Sequence, residues 1–288
     1  MARSAKPGDY ASLTMSQQTM RNIQADSHSL FGLNLSRYIV EAVDRADLED
    51  ERTAELTEIL RSWDGTTDVD SIASSIVQEF LIKLMDNTLA NMVSEELYQH
   101  LLKSGKLNYV SSVVLLMMHD ASLEHWFDDP KTQLVEDRTR TIIQSLTEAD
   151  ESLRNALGDD ISNWRWGRIH QTYFKHQMGS MAPFKWLWNI GPAEFPGDIS
   201  TVNPGTYTDI SQKPYRAVHG ASMRHIVDFG DVDRSDLVIT TGQSGQWLSP
   251  HYDDQAELWH ESRYLKISMD REAIEKDSIG RTMLVPSE

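Results

Sequence analysis

Apolar residues recur at helical spacing through the first half of the chain, and alternation takes over only later. Ile72, Ile76, Phe80 and Leu84 return every four residues, which places them on one face of a helix and makes them core. Asp68 or Asp70 is a reasonable N-cap for that helix. Thr14 or Ser16 can cap a helix running toward Gln24, and Thr14 with Gln17 has capping-box spacing. A further helix is expected over roughly residues 108–126, ending before Pro130, which cannot continue it. Residues 133–157 predict another, stopped by Gly158. Trp63-Asp64-Gly65 reads as the turn between two of these helices.

The pattern changes near residue 158. Before it lie only Gly8, Gly32, Gly65 and Gly105, with Pro7 and Pro130, and helix interiors exclude both residue types. After it, NWRWGRIHQTYF (163–174) alternates bulky and polar residues and predicts a strand. RAVHGASMRHIVDFG (216–230) predicts one or two strands, and DLVITTGQSG (236–245) a strand entering a glycine turn. Residues 189–207 have the Gly and Pro density of a long ordered loop. Helices followed by strands without alternation give an α+β fold, with helices segregated from an antiparallel sheet. The organisation expected is an arm-like or disordered start over 1–14, a mainly helical region over 15–158, and a strand- and loop-rich region over 159–288. Together these read as one incomplete domain.

Composition removes several function classes. The net charge is −17 and the pI near 4.9, whereas phosphate binding needs a basic surface, so nucleic acid is not an expected partner. The same acidity opposes attraction to an anionic membrane. The longest apolar run, VVLLMM (113–118), is far too short to span a bilayer. The start, MARSAKPGDYASLTMSQQ, has no apolar core of the signal-peptide kind. With no cysteine there is no disulfide, thiolate nucleophile or cysteine metal site.

Candidate chemistry is sparse. His219, His225, His251 and His260 lack zinc-site spacing, and Glu257 with His260 is an i, i+3 pair without the second pair a di-iron site requires. They read as structural histidines. Asp159-Asp160, Asp253-Asp254 and Glu95-Glu96 can be acid–base or calcium pairs, or the solvated surface of an acidic chain, which is the preferred reading. GQSG (242–245) has some likeness to the nucleophile elbow but lacks one residue of it, and Ser244, His251 and Asp253 are too close in sequence to converge readily as a triad. Trp164, Trp166, Trp186 and Trp188 can line an acyl pocket or be core, and core is preferred.

Several segments, in order, resemble the penicillin acylase family of N-terminal-nucleophile hydrolases. MSQQTMRNIQADSHS (15–29) is similar to a family helix, with Ile23, Gln24, Asp26 and Ser29 at matching places. LRSWDGTTDVDS (60–71) resembles the helix–turn–helix around Trp-Asp-Gly, and WRWGRIHQTYFKH (164–176) the strand with Trp166, Gly167 and His170. GPAEFPGDISTVN (191–203) resembles a family loop, with Pro196 where a glycine is common. HGASMRHIVDFGD (219–231) is similar to a strand with Ser222 and Arg224. GQSGQWLSPHYDDQAELW (242–259) carries the most specific likeness. The resemblance runs from about residue 12 to residue 285.

The resemblance implies the C-terminal part of the large (β) subunit of an amidohydrolase, folded as part of an αββα sandwich. In that family an N-terminal serine attacks the amide carbonyl, with its own α-amino group as base and an asparagine among the oxyanion donors. It places these groups before the segment matched here. Ser4 and Ser12 are not replacements, and no catalytic, cofactor-binding or metal-ligating residue is carried over. Calcium is implied for the complete enzyme, with ligands mostly upstream and none in this chain. The implied partner is the N-terminal portion of the same enzyme: its small subunit and the nucleophile-bearing part of the large one. Family members are commonly periplasmic or secreted. Gly242 and Gly245 are expected to permit a tight turn, and Gln243, Ser244, His251, Asp253 and Gln255 to satisfy backbone groups in buried loops. Sheet edges and apolar faces are expected to be exposed. The alternatives are an inactive remnant and a non-catalytic interaction scaffold. The resemblance does not choose between penicillins, acyl-homoserine lactones and other acyl amides.

Overall fold

The structure is a computed structural model and describes residues 15–103, 107–181, 184–208, 210 and 213–286. The arm expected over 1–14, with Ser4, Ser12 and Thr14, lies outside the described residues. The helices are α1 (Gln17–Gln24), α2 (Leu30–Ala46), α3 (Glu51–Ser62), α4 (Ile72–Asn87), α5 (Leu89–Met92), α6 (Glu95–Lys103), α7 (Leu107–His119), α8 (Arg138–Leu157), α9 (Trp166–Ile169), α10 (Lys185–Trp188), α11 (Ala256–His260) and α12 (Arg271–Asp277). The strands are β1 (His170–Phe174), β2 (Ile190–Glu194), β3 (Thr206–Tyr207), β4 (Tyr215–His219), β5 (Met223–Ile226), β6 (Ser235–Ile239) and β7 (Leu265–Ile267). The chain forms two compact units. One is Asp26–Gly220; the other joins the chain up to Ala25 to the chain from Ala221. The change of pattern near residue 158 therefore falls inside the larger unit.

In the larger unit α4 is the central helix, packed against α8 and α2. Its expected stripe is buried at Ile76, Phe80 and Leu84, but burial extends around the helix to Val77, Leu81 and Met85. Ser71, rather than Asp68 or Asp70, caps it by accepting from the Ser74 N–H. Asp68 is engaged elsewhere, accepting from the Ser27 hydroxyl at 2.9 Å, and Asp70 pairs with Arg165. Helix α8 buries Ile142, Leu146, Ala149 and Leu153 at helical spacing and stops at Gly158, whose φ is 91°. It begins only at Arg138, because Asp137 caps it there and Glu136 is tied back to Thr132. The helix expected over 108–126 likewise breaks. Asp120 accepts from the Ser122 N–H, and a 3-10 turn follows over Ala121–Phe127.

Trp63-Asp64-Gly65 is a turn, as its composition suggests. Asp64 accepts from the Thr66 N–H, the Trp63 indole donates to the Thr66 carbonyl, and Gly65 sits at φ 89°. A side chain at Gly65 would also strike the His28 ring, 2.7 Å from an added Cβ.

The four-stranded sheet of this unit has the order β2-β1-β4-β3. β1 and β4 run parallel, and the other two pairs are antiparallel. The stretch 163–174 is a strand only from His170. Before it, Trp166 and Ile169 take one helical turn that buries both, with the backbone N–H groups of Trp166 and Gly167 bonded to Ser71 and Val69. The segment 189–207 starts with β2 and ends in β3, so the loop proper is 195–205. Pro192 is accommodated because β2 is an edge strand. On the inner face Thr172, Tyr207 and Tyr215 are buried, and the two tyrosine rings stack at 5.0 Å.

The smaller unit is built on an antiparallel sheet of order β5-β6-β7. The expected strand region 216–230 resolves into two strands in different sheets. Helix α1 is capped by Ser16, reciprocally with Thr19, and lies against β5. Its Arg21 reaches the fully buried Asp236 of β6 at 2.6 Å, and Lys266 of β7 pairs with the same carboxylate at 2.7 Å. Burial works to raise the Asp236 pKa, but its bonds to Lys266 and Arg21 prevail and hold it below the ordinary value.

Two outcomes follow. Phe80→Ala empties a fully buried site in α4 and should cost about 3–5 kcal/mol in urea unfolding. A depressed carboxylate pKa contributes stability above its unfolded value of about 3.9, lost as pH falls through the folded value. Asp236→Asn should therefore lower stability at neutral pH and flatten the acid limb of the stability–pH curve.

Candidate functional site

The segment 242–259 follows β6 and ends in α11. Its fixed point is Gln255, buried, whose N–H donates to the Thr241 carbonyl and whose side-chain oxygen accepts from the Ile239 N–H at 3.0 Å. Gln255 thus closes the end of β6 as a backbone satisfier. Gly242 is required by close approach rather than by a left-handed turn. A Cβ there would lie 2.2 Å from the His251 carbonyl oxygen. Gly245 meets nothing within 4 Å, so only one of the two glycines has a steric reason to be there.

Ser244 and His251 are joined through the backbone, Ser244 N–H to His251 carbonyl at 3.0 Å. Their side chains look elsewhere. Ser244 Oγ accepts from the Gln246 N–H, and His251 Nδ1 lies 2.8 Å from a carboxylate oxygen of Asp254, not of Asp253. The i, i+3 spacing of His251 and Asp254 was the available signal, obscured by the adjacent Asp253. Gln243 and Asp253 are exposed, so of the five polar residues expected to satisfy buried backbone Gln255 does so most fully. α11 is held by Trp259, whose indole donates to the Ala221 carbonyl at 2.7 Å. Arg224 is buried beside it, donating to the Trp259 carbonyl with its guanidinium 4.7 Å from the indole centroid.

The other histidines scatter. His219 and His225 are exposed on β4 and β5, and His260 caps its own helix turn through the Ala256 carbonyl. Asp160 caps a 3-10 turn and Asp159 pairs with Arg154, while Glu95 and Glu96 open α6. Among the described residues no three His, Asp or Glu side chains converge as a metal site would need.

In the larger unit the four tryptophans divide. Trp164 and Trp166 are fully buried core. Trp188 stacks on Phe184 at 4.5 Å. Trp186, 77% exposed, borders a cleft of about 460 Å³ over the outer sheet face with Tyr173, Lys185, Asn189, Pro192 and Arg216. The Arg216 guanidinium lies 4.8 Å from the Tyr173 ring centroid. The described walls of this cleft carry no serine, threonine, histidine or carboxylate, so it offers apolar surface and positive charge but no hydroxyl nucleophile of the serine or threonine kind.

Beneath the loop 195–205 lies a polar cluster that the linear pattern did not reveal. Asp198, fully buried, accepts from the hydroxyls of Ser29 (2.6 Å) and Ser200 (2.8 Å), the Gln78 amide (3.0 Å) and the Ser200 N–H (2.7 Å). Tyr207 donates to Gln78 at 2.6 Å. The Trp166 indole donates to the Gly197 carbonyl at 2.9 Å and stacks on His170 at 4.4 Å.

A scaffold role for the 242–259 segment predicts an unequal mutational profile. Gln255→Ala strands the half-buried Ile239 N–H and should cost about 1 kcal/mol or more in denaturant unfolding. Ser244→Ala and His251→Ala should stay within about 0.5 kcal/mol of the parent.

Residues 6–276 match the family model described as penicillin amidase. The acyl-homoserine lactone acylase QuiP of Pseudomonas aeruginosa is 25% identical over 293 residues, covering 92% of this chain and 34% of that protein. The protein of that name from Pseudomonas syringae pv. syringae is 27% identical, over 96% of this chain and 34% of its own length. Penicillin acylase 2 proenzyme of Pseudomonas sp. strain SE83 is 25% identical, over 81% and 29%. The chain thus spans about a third of the length of the curated relatives it matches. Among solved structures, thermostable penicillin G acylase from Alcaligenes faecalis superposes with a TM-score of 0.54 at 16% identity, over 96% of this chain and 50% of that one. That likeness shows a shared fold, the mixed helix-and-sheet fold of the N-terminal-nucleophile hydrolases. With the family match covering nearly all of the sequence, this chain belongs to the penicillin amidase family of amidohydrolases.

Proposed function

We propose that this chain is the C-terminal, scaffold-forming part of an acylase that hydrolyses the amide bond of acylated amines. In this reading the nucleophilic serine and the oxyanion asparagine come from the N-terminal portion of the same enzyme, which is the partner. The observation that carries it is the state of Ser244. Of the two serines in the best-matched segment, Ser244 has its Oγ turned to the Gln246 N–H and Ser249 its Oγ to the His251 N–H, and the nearby imidazole is held by Asp254. A nucleophile needs a base within hydrogen-bond reach of its hydroxyl, and Ser244 has none in that arrangement. The partner's serine Oγ would attack the amide carbonyl while its α-amino group takes the proton and passes it to the leaving amine. Water then hydrolyses the acyl ester to the carboxylic acid. Any calcium of the complete enzyme would take its ligands mostly from the partner portion.

N-acyl-homoserine lactones are the substrate class to try first, because several similar relatives bear that name. Penicillin-type acyl amides come second, after the relative named a penicillin acylase. The test is to co-produce the chain with the portion encoded directly upstream and to assay an acyl-homoserine lactone and an acyl-anilide. Hydrolysis should require both pieces and survive Ser244→Ala. Turnover by the chain alone, or the absence of both complex and hydrolysis, would overturn the reading; the latter would favour an interaction scaffold.

A further inference from the structure

His170 of β1 is fully buried, and both of its ring nitrogens face main-chain carbonyls: Nδ1 lies 2.6 Å from the Phe195 oxygen and Nε2 2.8 Å from the Gly205 oxygen. A carbonyl oxygen can only accept, so each contact asks the ring to supply a hydrogen. Neutral imidazole has one N–H. In either tautomer its other nitrogen would set a lone pair against a carbonyl lone pair at hydrogen-bond distance. Only the doubly protonated ring satisfies both.

Asp198 presents the complementary anomaly. Its two oxygens receive four neutral donors, an environment suited to an ionised carboxylate, yet no lysine or arginine among the described residues pairs with it. A buried charge without a counter-charge is expensive. The two groups are tied through one short loop: the Gly205 N–H donates to the Asp198 main-chain carbonyl at 3.1 Å, and the Gly205 carbonyl faces His170. The Trp166 ring lies parallel to the imidazole at 4.4 Å, a favourable surface for a cation.

We propose that His170 is held as an imidazolium, the buried counter-charge of Asp198, and that this pair clamps the loop 195–205 onto β1 as a pH-sensitive lock. The other groups facing it leave this assignment intact. Tyr207 of β3 meets the ring edge-on at 5.8 Å, and its hydroxyl is committed to Gln78. Glu79 of α4 is neutralised by Lys213 at 2.9 Å and bonded by the Tyr215 hydroxyl. Burial is the strongest single influence on the ring and pulls its pKa below the ordinary value; the two carbonyls and then Asp198 act in the opposite sense. The geometry favours the second set, because a neutral ring would have to surrender one end of the loop.

The direction of the pH effect follows. A histidine whose folded pKa lies above its unfolded value of about 6.5 contributes stability in full below that value and loses it as pH rises through the folded pKa. The lock therefore opens on the alkaline side.

The decisive measurement is long-range proton–nitrogen NMR of the ¹⁵N-labelled full chain, with the His170 signals assigned by their loss in His170→Gln. Both ring nitrogens of His170 should be protonated at pH 7. A bare ring nitrogen at that pH would overturn the proposal. Asp198→Asn should lower the His170 midpoint by a full pH unit or more, a tenfold shift in its protonation constant; an unchanged midpoint would remove Asp198 as the counter-charge. If that variant fails to fold, the wild-type spectrum still decides the charge state.

Discussion

Helix α4 is enclosed by its neighbours and yet carries Gln78 and Glu79 in its middle, both essentially inaccessible to water. Each polar atom placed there must find a partner inside the protein, since a stranded one costs about as much as a lost core contact. That requirement organises the larger unit. Tyr207 and Tyr215 project from adjacent strands to the two side chains, Lys213 supplies charge to Glu79, and Gln78 passes its remaining hydrogen bond to Asp198. The sheet therefore meets the helix through a polar seam set within the apolar core. Its register is fixed by these bonds as well as by packing, because slipping a strand by one residue would turn the tyrosines away.

The smaller unit solves a similar problem differently. Its sheet is short, and its inner face includes Arg224 and Asp236. Arg224 is covered by the Trp259 ring and donates to the Trp259 carbonyl, while Asp236 is held between cations from α1 and β7. Truncating any one member leaves its partner exposed to the full desolvation cost.

Local chemistry was readable where it is decided locally. The Ile76–Phe80–Leu84 stripe, the Trp63-Asp64-Gly65 turn and the Gly158 stop depend on neighbours a few residues away, and their residue types announce them. The misplaced features depend on distant partners. Ser71 caps α4 because Asp68 and Asp70 are claimed by Ser27 and Arg165. Trp166 takes a helical turn because its indole and backbone are bound to residues far along the chain. The His170–Asp198 cluster draws on positions 29, 78, 170, 198, 205 and 207, and no spacing rule links them. Family membership was legible because co-linear segments carry it. The polar roles within the 242–259 segment were not, since burial rather than identity separates Gln255 from Gln243.

The smaller unit is made from both ends of the described sequence, with α1 tied to β5, β6 and β7 from more than two hundred positions away. A ribosome adds roughly 5–20 residues per second, so α1 waits on the order of ten to forty seconds before its sheet exists. In that interval Arg21 has no Asp236 to pair with, and the larger unit, complete at Gly220, has all of its residues before the sheet of the smaller one does. The order of birth is thus written into the connectivity: the segment made first among those described is the last to find its place.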